Sequence, residues 1–265
     1  MDKKEKYFDV RTKSEMGGGE GGLYDDSDEY EFSVLLRKLR LDSQNLINLL
    51  RKDNEKMPEV YFRYVNSYSN NACAFQDDYK QYYIGVNIGL VMNLKNCFDK
   101  LSLEFKADTN SDFNSENVDF YRNVLLLNAF RFIVLHEYSH IIMGHSDLRV
   151  HDGGPHLMLE ANNITKTGNS MKLQTIEMDA DCSATNFCIR ELLINYKSQE
   201  FINPNIKRKF GSFNEAIFCY MSAVYMVFKI LGSDNYANEN FGESDHPHSF
   251  IRLQIVYSTL YTKIG

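Results

Sequence analysis

The 265-residue chain has no excess of positive charge: Lys and Arg total 29 against 36 Asp and Glu, a formal net charge of −7. A general nucleic-acid binder needs a basic face to displace counterions from phosphates, so that class is excluded. No C-x-x-C pair occurs among the five scattered cysteines, Cys73, Cys97, Cys182, Cys188 and Cys219. Their spacing supports neither a thiolate zinc site nor a thioredoxin-type motif. Each lies in an apolar run and reads as a small buried hydrophobe in a reducing compartment. There is no apolar signal region after Met1-Asp2-Lys3-Lys4-Glu5-Lys6. The longest greasy stretch, Ala216 to Phe228, stops at Lys229, short of the ~20 residues that span a bilayer. No internal repeat or coiled-coil heptad stands out. These absences lead to the expectation of a soluble, cytoplasmic protein with no nucleic-acid partner and no membrane insertion.

What is present is the material of a packed core: 43% apolar and 13% aromatic residues. Residues 1–30 are charged and carry Gly17-Gly18-Gly19 and Gly21-Gly22, which predicts a flexible acidic leader. Residues 31–265 read as one domain. Apolar positions recur at helical spacing from Glu31 to about Asn54. Val60–Val65, Ala72–Phe75 and Tyr82–Val86 read as short strands, the last two joined by a hairpin loop at Gln76–Lys80. Helices are predicted over Ile88 to about Phe105, Val118–Gly144, Lys172–Tyr196, Asn214–Leu231 and Ser249–Lys263. Polar loops fall at Lys106–Asn117, Ser146–Ser170 and Gly232–His248. The layout predicts an α+β fold, mainly helical, with a small antiparallel sheet.

One helix carries chemistry. Phe132 to His145 contains His136-Glu137-x-x-His140, an H-E-x-x-H run in apolar surroundings. Residues four apart share a helix face, so both imidazoles can reach one zinc ion at ~2.0–2.1 Å. Glu137 lies on the adjacent flank, where it can take a proton from zinc-bound water and later deliver it to a leaving amine. Burying two histidines and a carboxylate without partners would be costly, which favours a metal centre over structural histidines.

Downstream, Glu177 and Asp181 are again four apart, among the apolar neighbours Ile176, Met178, Ala180 and Ala184. This predicts Glu177 as the third zinc ligand and Asp181 as the carboxylate that orients His136. Asp179 points elsewhere and reads as a surface acid. Met143 and Ser146 occupy the positions where a metzincin needs Gly and His, which excludes that class. His145 stands roughly 140° around a regular helix from His140 and cannot join its face, although Gly144 permits a turn there. His151, His156 and Glu160 in the following loop stay open as alternative ligands.

These residues resemble the HtpX and CAAX-prenyl endopeptidase group of gluzincins, which includes the Oma-type mitochondrial peptidases. The similar segments are His136-Glu137-x-x-His140 with Gly144-His145, Glu177-x-x-Ala180-Asp181, and Asp245-His246-Pro247 with Arg252 five residues beyond Pro247. Asn71-Ala72-Cys73-Ala74-Phe75 is similar to that group's N-A-x-A strand. The resemblance implies Glu177 as third ligand and His246 as a hydrogen-bond donor to the oxyanion. It also implies Ala72, Cys73, Ala74 and Phe75 as an edge strand receiving substrate. Arg252 would anchor its helix to a carboxylate. Many members of that group are membrane proteins, and this chain is expected to lack a spanning helix. Its size, expected solubility and zinc helix also resemble the Lit-like phage-exclusion peptidases, a bacterial cytosolic group known for cleaving a translation elongation factor.

The expected function is a soluble zinc-dependent endopeptidase acting on a protein or peptide, with one zinc per chain and a role in bacterial host defence. The alternative is a zinc-stabilised regulatory or binding protein without turnover. Glu137 weighs against it, because a structural zinc site does not need that carboxylate.

Overall fold

Seven helices and a small sheet make up the described part of the computed structural model, residues 1–16, 21–108, 115–145, 158–159, 170–197, 212–232 and 247–264. In chain order they are α1 (Lys3–Met16), α2 (Glu31–Asp53), β1 (Val60–Val65), β2 (Ala72–Gln76), β3 (Tyr82–Asn87), α3 (Ile88–Asp108), α4 (Ser115–Ile142), β4 (Met158–Leu159), α5 (Ser170–Lys197), α6 (Phe213–Leu231) and α7 (Ser249–Ile264). The mainly helical α+β architecture matches the sequence reading.

The sheet departs from that reading in one respect. Its order is β1-β3-β2, with the two-residue β4 beyond β2. β2 and β3 form the expected antiparallel hairpin, but β1 runs parallel to β3. The sheet is therefore mixed, not purely antiparallel. The cause is insertion: β3 enters between β1 and β2, and a reading of neighbouring strands in sequence does not anticipate this. The start of α3 then crosses the β1–β2 connection closely. The Gly89 N–H donates to Ser67 O at 2.9 Å, and a Cβ on Gly89 would lie 2.1 Å from Tyr68 O.

Strand alternation sends side chains to two separate cores. Val60, Phe62, Tyr64, Ala72, Ala74, Ile84 and Val86 join the main core with helices α2, α3 and α4. Val65, Cys73, Phe75 and Tyr83 face the other way, onto α1. Residues 3–16, which the sequence reading placed in a flexible leader, form α1 in the structure, with Phe8 fully buried on the sheet. Gly85 leaves room for this, since a Cβ there would stand 2.9 Å from both Cys73 Sγ and Val65 Cγ2 and 3.3 Å from the Phe8 ring. Phe75 and Tyr83 stack at 5.1 Å beneath it. The chain then runs along β1: the Gly21 N–H donates to Asn66 O, and the Tyr24 N–H to Tyr64 O.

Helix α4 is the axis of the main core. Leu126, Ala129, Phe130, Phe132, Ile133, Val134, Leu135, Tyr138 and Ile141 are buried around all of its sides, as expected of a helix hydrophobic in every direction. Arg131 ties it to two neighbours, with both Asp42 oxygens of α2 at 2.6 Å and Glu191 of α5 at 3.1 Å. Helix α6 begins at an N-cap, where the Glu215 N–H donates to Ser212 Oγ. Contrary to the shorter span read from the sequence, α6 is by length and composition long and apolar enough to cross a membrane. One of its faces, including Tyr220, Val224, Val227 and Phe228, is buried within this fold. No disulfide joins any of the five cysteines.

Candidate metal centre

Every buried histidine, carboxylate and guanidinium among the described residues belongs to one cluster: His136, Glu137, His140, His145, Glu177, Asp181 and Arg252. Three helices supply six of them: the last turns of α4 carry His136, Glu137 and His140, α5 carries Glu177 and Asp181, and α7 carries Arg252, while His145 follows the end of α4. On α5 the small residues Ala180 and Ala184, both fully buried, allow a close approach to α4.

His136, His140 and Glu177 form a group able to hold a metal ion, each offering a ligand atom within 4.8 Å of the others. The two Nε2 atoms are 2.9 Å apart. Glu177 Oε2 is 3.3 Å from His136 Nε2, and Glu177 Oε1 is 3.6 Å from His140 Nε2. Ligand atoms around a tetrahedral zinc at ~2.0–2.1 Å stand roughly 3.3–3.4 Å apart. The three observed spacings bracket that value, so the donor set fits the ion in size as well as in type.

The charge fits too. Glu137, Glu177 and Asp181 are three buried carboxylates against one buried guanidinium, Arg252; three negative charges less one positive leave a formal −2. Buried charge of one sign is costly unless neutralised. A divalent cation at the His136–His140–Glu177 group balances the cluster.

The partners behind the group are equally specific. Asp181 Oδ1 lies 2.9 Å from His136 Nδ1. A proton on that nitrogen, facing the carboxylate, leaves the lone pair of His136 Nε2 directed at the metal position. Arg252 in turn grips Asp181 with both arms, Nε to Oδ2 at 2.7 Å and Nη2 to Oδ1 at 2.8 Å. Its guanidinium rests over the Phe228 ring, 4.6 Å from the centroid. The sequence-level expectation of a carboxylate anchor for Arg252 is met, and that carboxylate is Asp181. Glu137 is almost wholly buried beside His136.

His145 is not a member of the ligand group but touches it. Gly144 adopts φ +70°, and the turn brings His145 Nδ1 to 3.0 Å from His140 Nδ1. Burial pushes the His145 imidazole below the ordinary histidine range, against the opposing pull of the Asp179 and Glu177 carboxylates. Sequence spacing excluded His145 from the helix face correctly, yet missed this contact. Gly144, the residue type that ends a helix with a positive φ, signalled the turn but not which side chain it would bring His145 against.

Two expected features stand differently. Ala72, Cys73, Ala74 and Phe75 lie on β2, but their side chains are fully buried. β2 is also not a bare edge: Cys73 and Ala74 pair antiparallel with Leu159 and Met158 of β4. His246 and Asp245 lie outside the described residues, as do His151, His156 and Glu160. A cavity of ≈ 640 Å³ opens elsewhere, between α3, α4, α6 and α7; its lining is mainly apolar, with Arg122 and Glu215 among it, and shares no residue with the charged cluster.

A family model described as Peptidase U49 matches residues 69–263, well over half of the chain and the whole of the cluster. No curated protein and no solved structure matches the chain. Of the two resemblances read from the sequence, the match falls on the Lit-like one. The paired H-E-x-x-H and E-x-x-A-D segments, read as specific to the first group, lie in a chain that matches the Lit-like family.

Proposed function

The chain belongs to the Peptidase U49 family, the Lit-like peptidases, and from that premise we propose that it is a zinc-dependent endopeptidase acting on a protein substrate. The observation that carries the reading is the buried cluster whose formal charge of −2 surrounds two imidazoles and a carboxylate at zinc-compatible spacings. His136, His140 and Glu177 would hold the ion. Zinc bound there supplies Lewis acidity toward a water molecule and a peptide carbonyl.

The remaining steps belong to the chain itself. Glu137 acts as general base, taking the proton of the attacking water, and then as general acid, passing that proton to the leaving amine. Asp181 fixes the orientation of His136, and Arg252 fixes Asp181. His246 is proposed to donate a hydrogen bond to the developing oxyanion. Extended substrate is proposed to pair with the β2 backbone by displacing the two-residue β4 from Cys73 and Ala74, because the β2 side chains face inward. The Lit-like resemblance supports a cytoplasmic role in bacterial phage exclusion.

The test is Glu137→Gln. Wild-type protein should contain zinc and generate new N-terminal peptides from a cellular protein when expressed. The variant should retain the zinc and generate none. Undiminished cleavage by the variant contradicts the mechanism.

A further inference from the structure

A metal-bound histidine has one nitrogen on the metal and needs a partner for the N–H on the other. For His136 the Asp181 carboxylate stands 2.9 Å from Nδ1. Behind His140 stands another imidazole: its Nδ1 faces His145 Nδ1 at 3.0 Å, with the ring centroids 5.2 Å apart and the planes inclined by 66°. His145 is 5% exposed, so water does not replace it easily.

We propose that His145 is a positioning residue for the metal centre: it accepts the Nδ1 proton of His140 and thereby holds the His140 Nε2 lone pair toward the ion. This rests on the zinc reading above. The proton count supports it. Two Nδ1 atoms at hydrogen-bonding distance share one proton between them. His140 Nε2 faces Glu177 Oε1 and His136 Nε2, where a metal requires a bare lone pair, so the His140 proton sits on Nδ1. His145 Nδ1 is then the acceptor, and the proton of His145 is on its own Nε2.

The helix is broken to achieve this. A regular α-helix would put residue 145 roughly 140° away from residue 140. The Gly144 N–H donates to Ile141 O at 3.1 Å, and its φ of +70° swings His145 back over the final turn. A neutral imidazole also suits the charge balance. A second carboxylate behind His140 would take the buried cluster from −2 to −3 and leave it uncompensated by a divalent ion.

The experiment compares zinc affinity, by competition with a chromophoric chelator, for wild type, His145→Ala and His145→Asn, and records the imidazole nitrogen spectrum of the zinc-loaded wild type. Asn places an amide oxygen near the position of the lost Nδ1. His145→Ala should weaken zinc binding about 10–100-fold, and His145→Asn should recover most of that loss. The wild-type spectrum should show His140 protonated on Nδ1 and bound through Nε2. Equal affinity in His145→Ala, or no recovery in His145→Asn, overturns the proposal while leaving the zinc reading standing. A wild-type chain that takes up no zinc overturns both, and does so before any substitution is made. Should His145→Ala fail to fold, the wild-type spectrum decides: a His140 ring protonated on Nε2 overturns the proposal.

Discussion

Beside the main core around α4, the molecule has two smaller buried clusters of opposite character. On the outer face of the sheet, Phe8, Val65, Cys73, Phe75 and Tyr83 form an aromatic and aliphatic core with no charged member. At the end of α4, three carboxylates, a guanidinium and three histidines are buried together. The first cluster is stable through area removed from water, whatever else is bound. The second has more carboxylates than guanidinium groups and so calls for further positive charge, which a metal ion held by His136, His140 and Glu177 would supply. The difference teaches that burial alone does not identify a core: its electrostatic balance says whether a ligand is missing from the account.

Substitutions can break that contrast in order of size. Glu137→Gln should lower turnover about 10²–10⁴-fold, the usual contribution of a general acid–base, while zinc content stays the same. Peptide-release kinetics alongside metal analysis would check both. Arg252→Met strands the Asp181 carboxylate, and breaking such a buried pair costs about 3–5 kcal/mol, readable from urea unfolding. Phe8→Ala should cost about 3 kcal/mol through the cavity it leaves. Its penalty should be equal with and without zinc, whereas the Arg252→Met penalty should change on chelation; a zinc-dependent Phe8→Ala penalty would blur the comparison. The smallest effect is expected at Gly144. A Cβ there meets nothing within 4 Å, so Gly144→Ala pays only the left-handed backbone conformation, about 1–2 kcal/mol. Thermal unfolding would measure it, and Gly144→Asn should be milder.

The charged cluster was largely legible in the sequence, because its logic is local. His136 with His140, and Glu177 with Asp181, are pairs four residues apart, and helical geometry alone puts each pair on one face. Arg252 was read as an anchor, but its carboxylate could not be named, since Asp181 lies 71 residues away. His145 was set apart from the ligand face by the rule for a regular helix, and the turn allowed at Gly144 was read without the contact it makes with His140. The aromatic cluster was far less legible. Phe8 sits among charges in α1, and its partners Cys73, Phe75 and Tyr83 come from strands more than sixty residues later. The parallel pairing of β1 with β3 was hidden for the same reason: strand insertion is a long-range choice, and period-two patterning fixes which face is buried but not which strand is adjacent.

The most direct test of the central claim is metal content with stability. Wild-type protein purified without chelators, dialysed against zinc and then against metal-free buffer, should retain one zinc per chain. Its thermal midpoint should fall when a strong chelator removes the ion. A chain that retains no zinc, with a thermal midpoint the chelator does not move, would contradict the account.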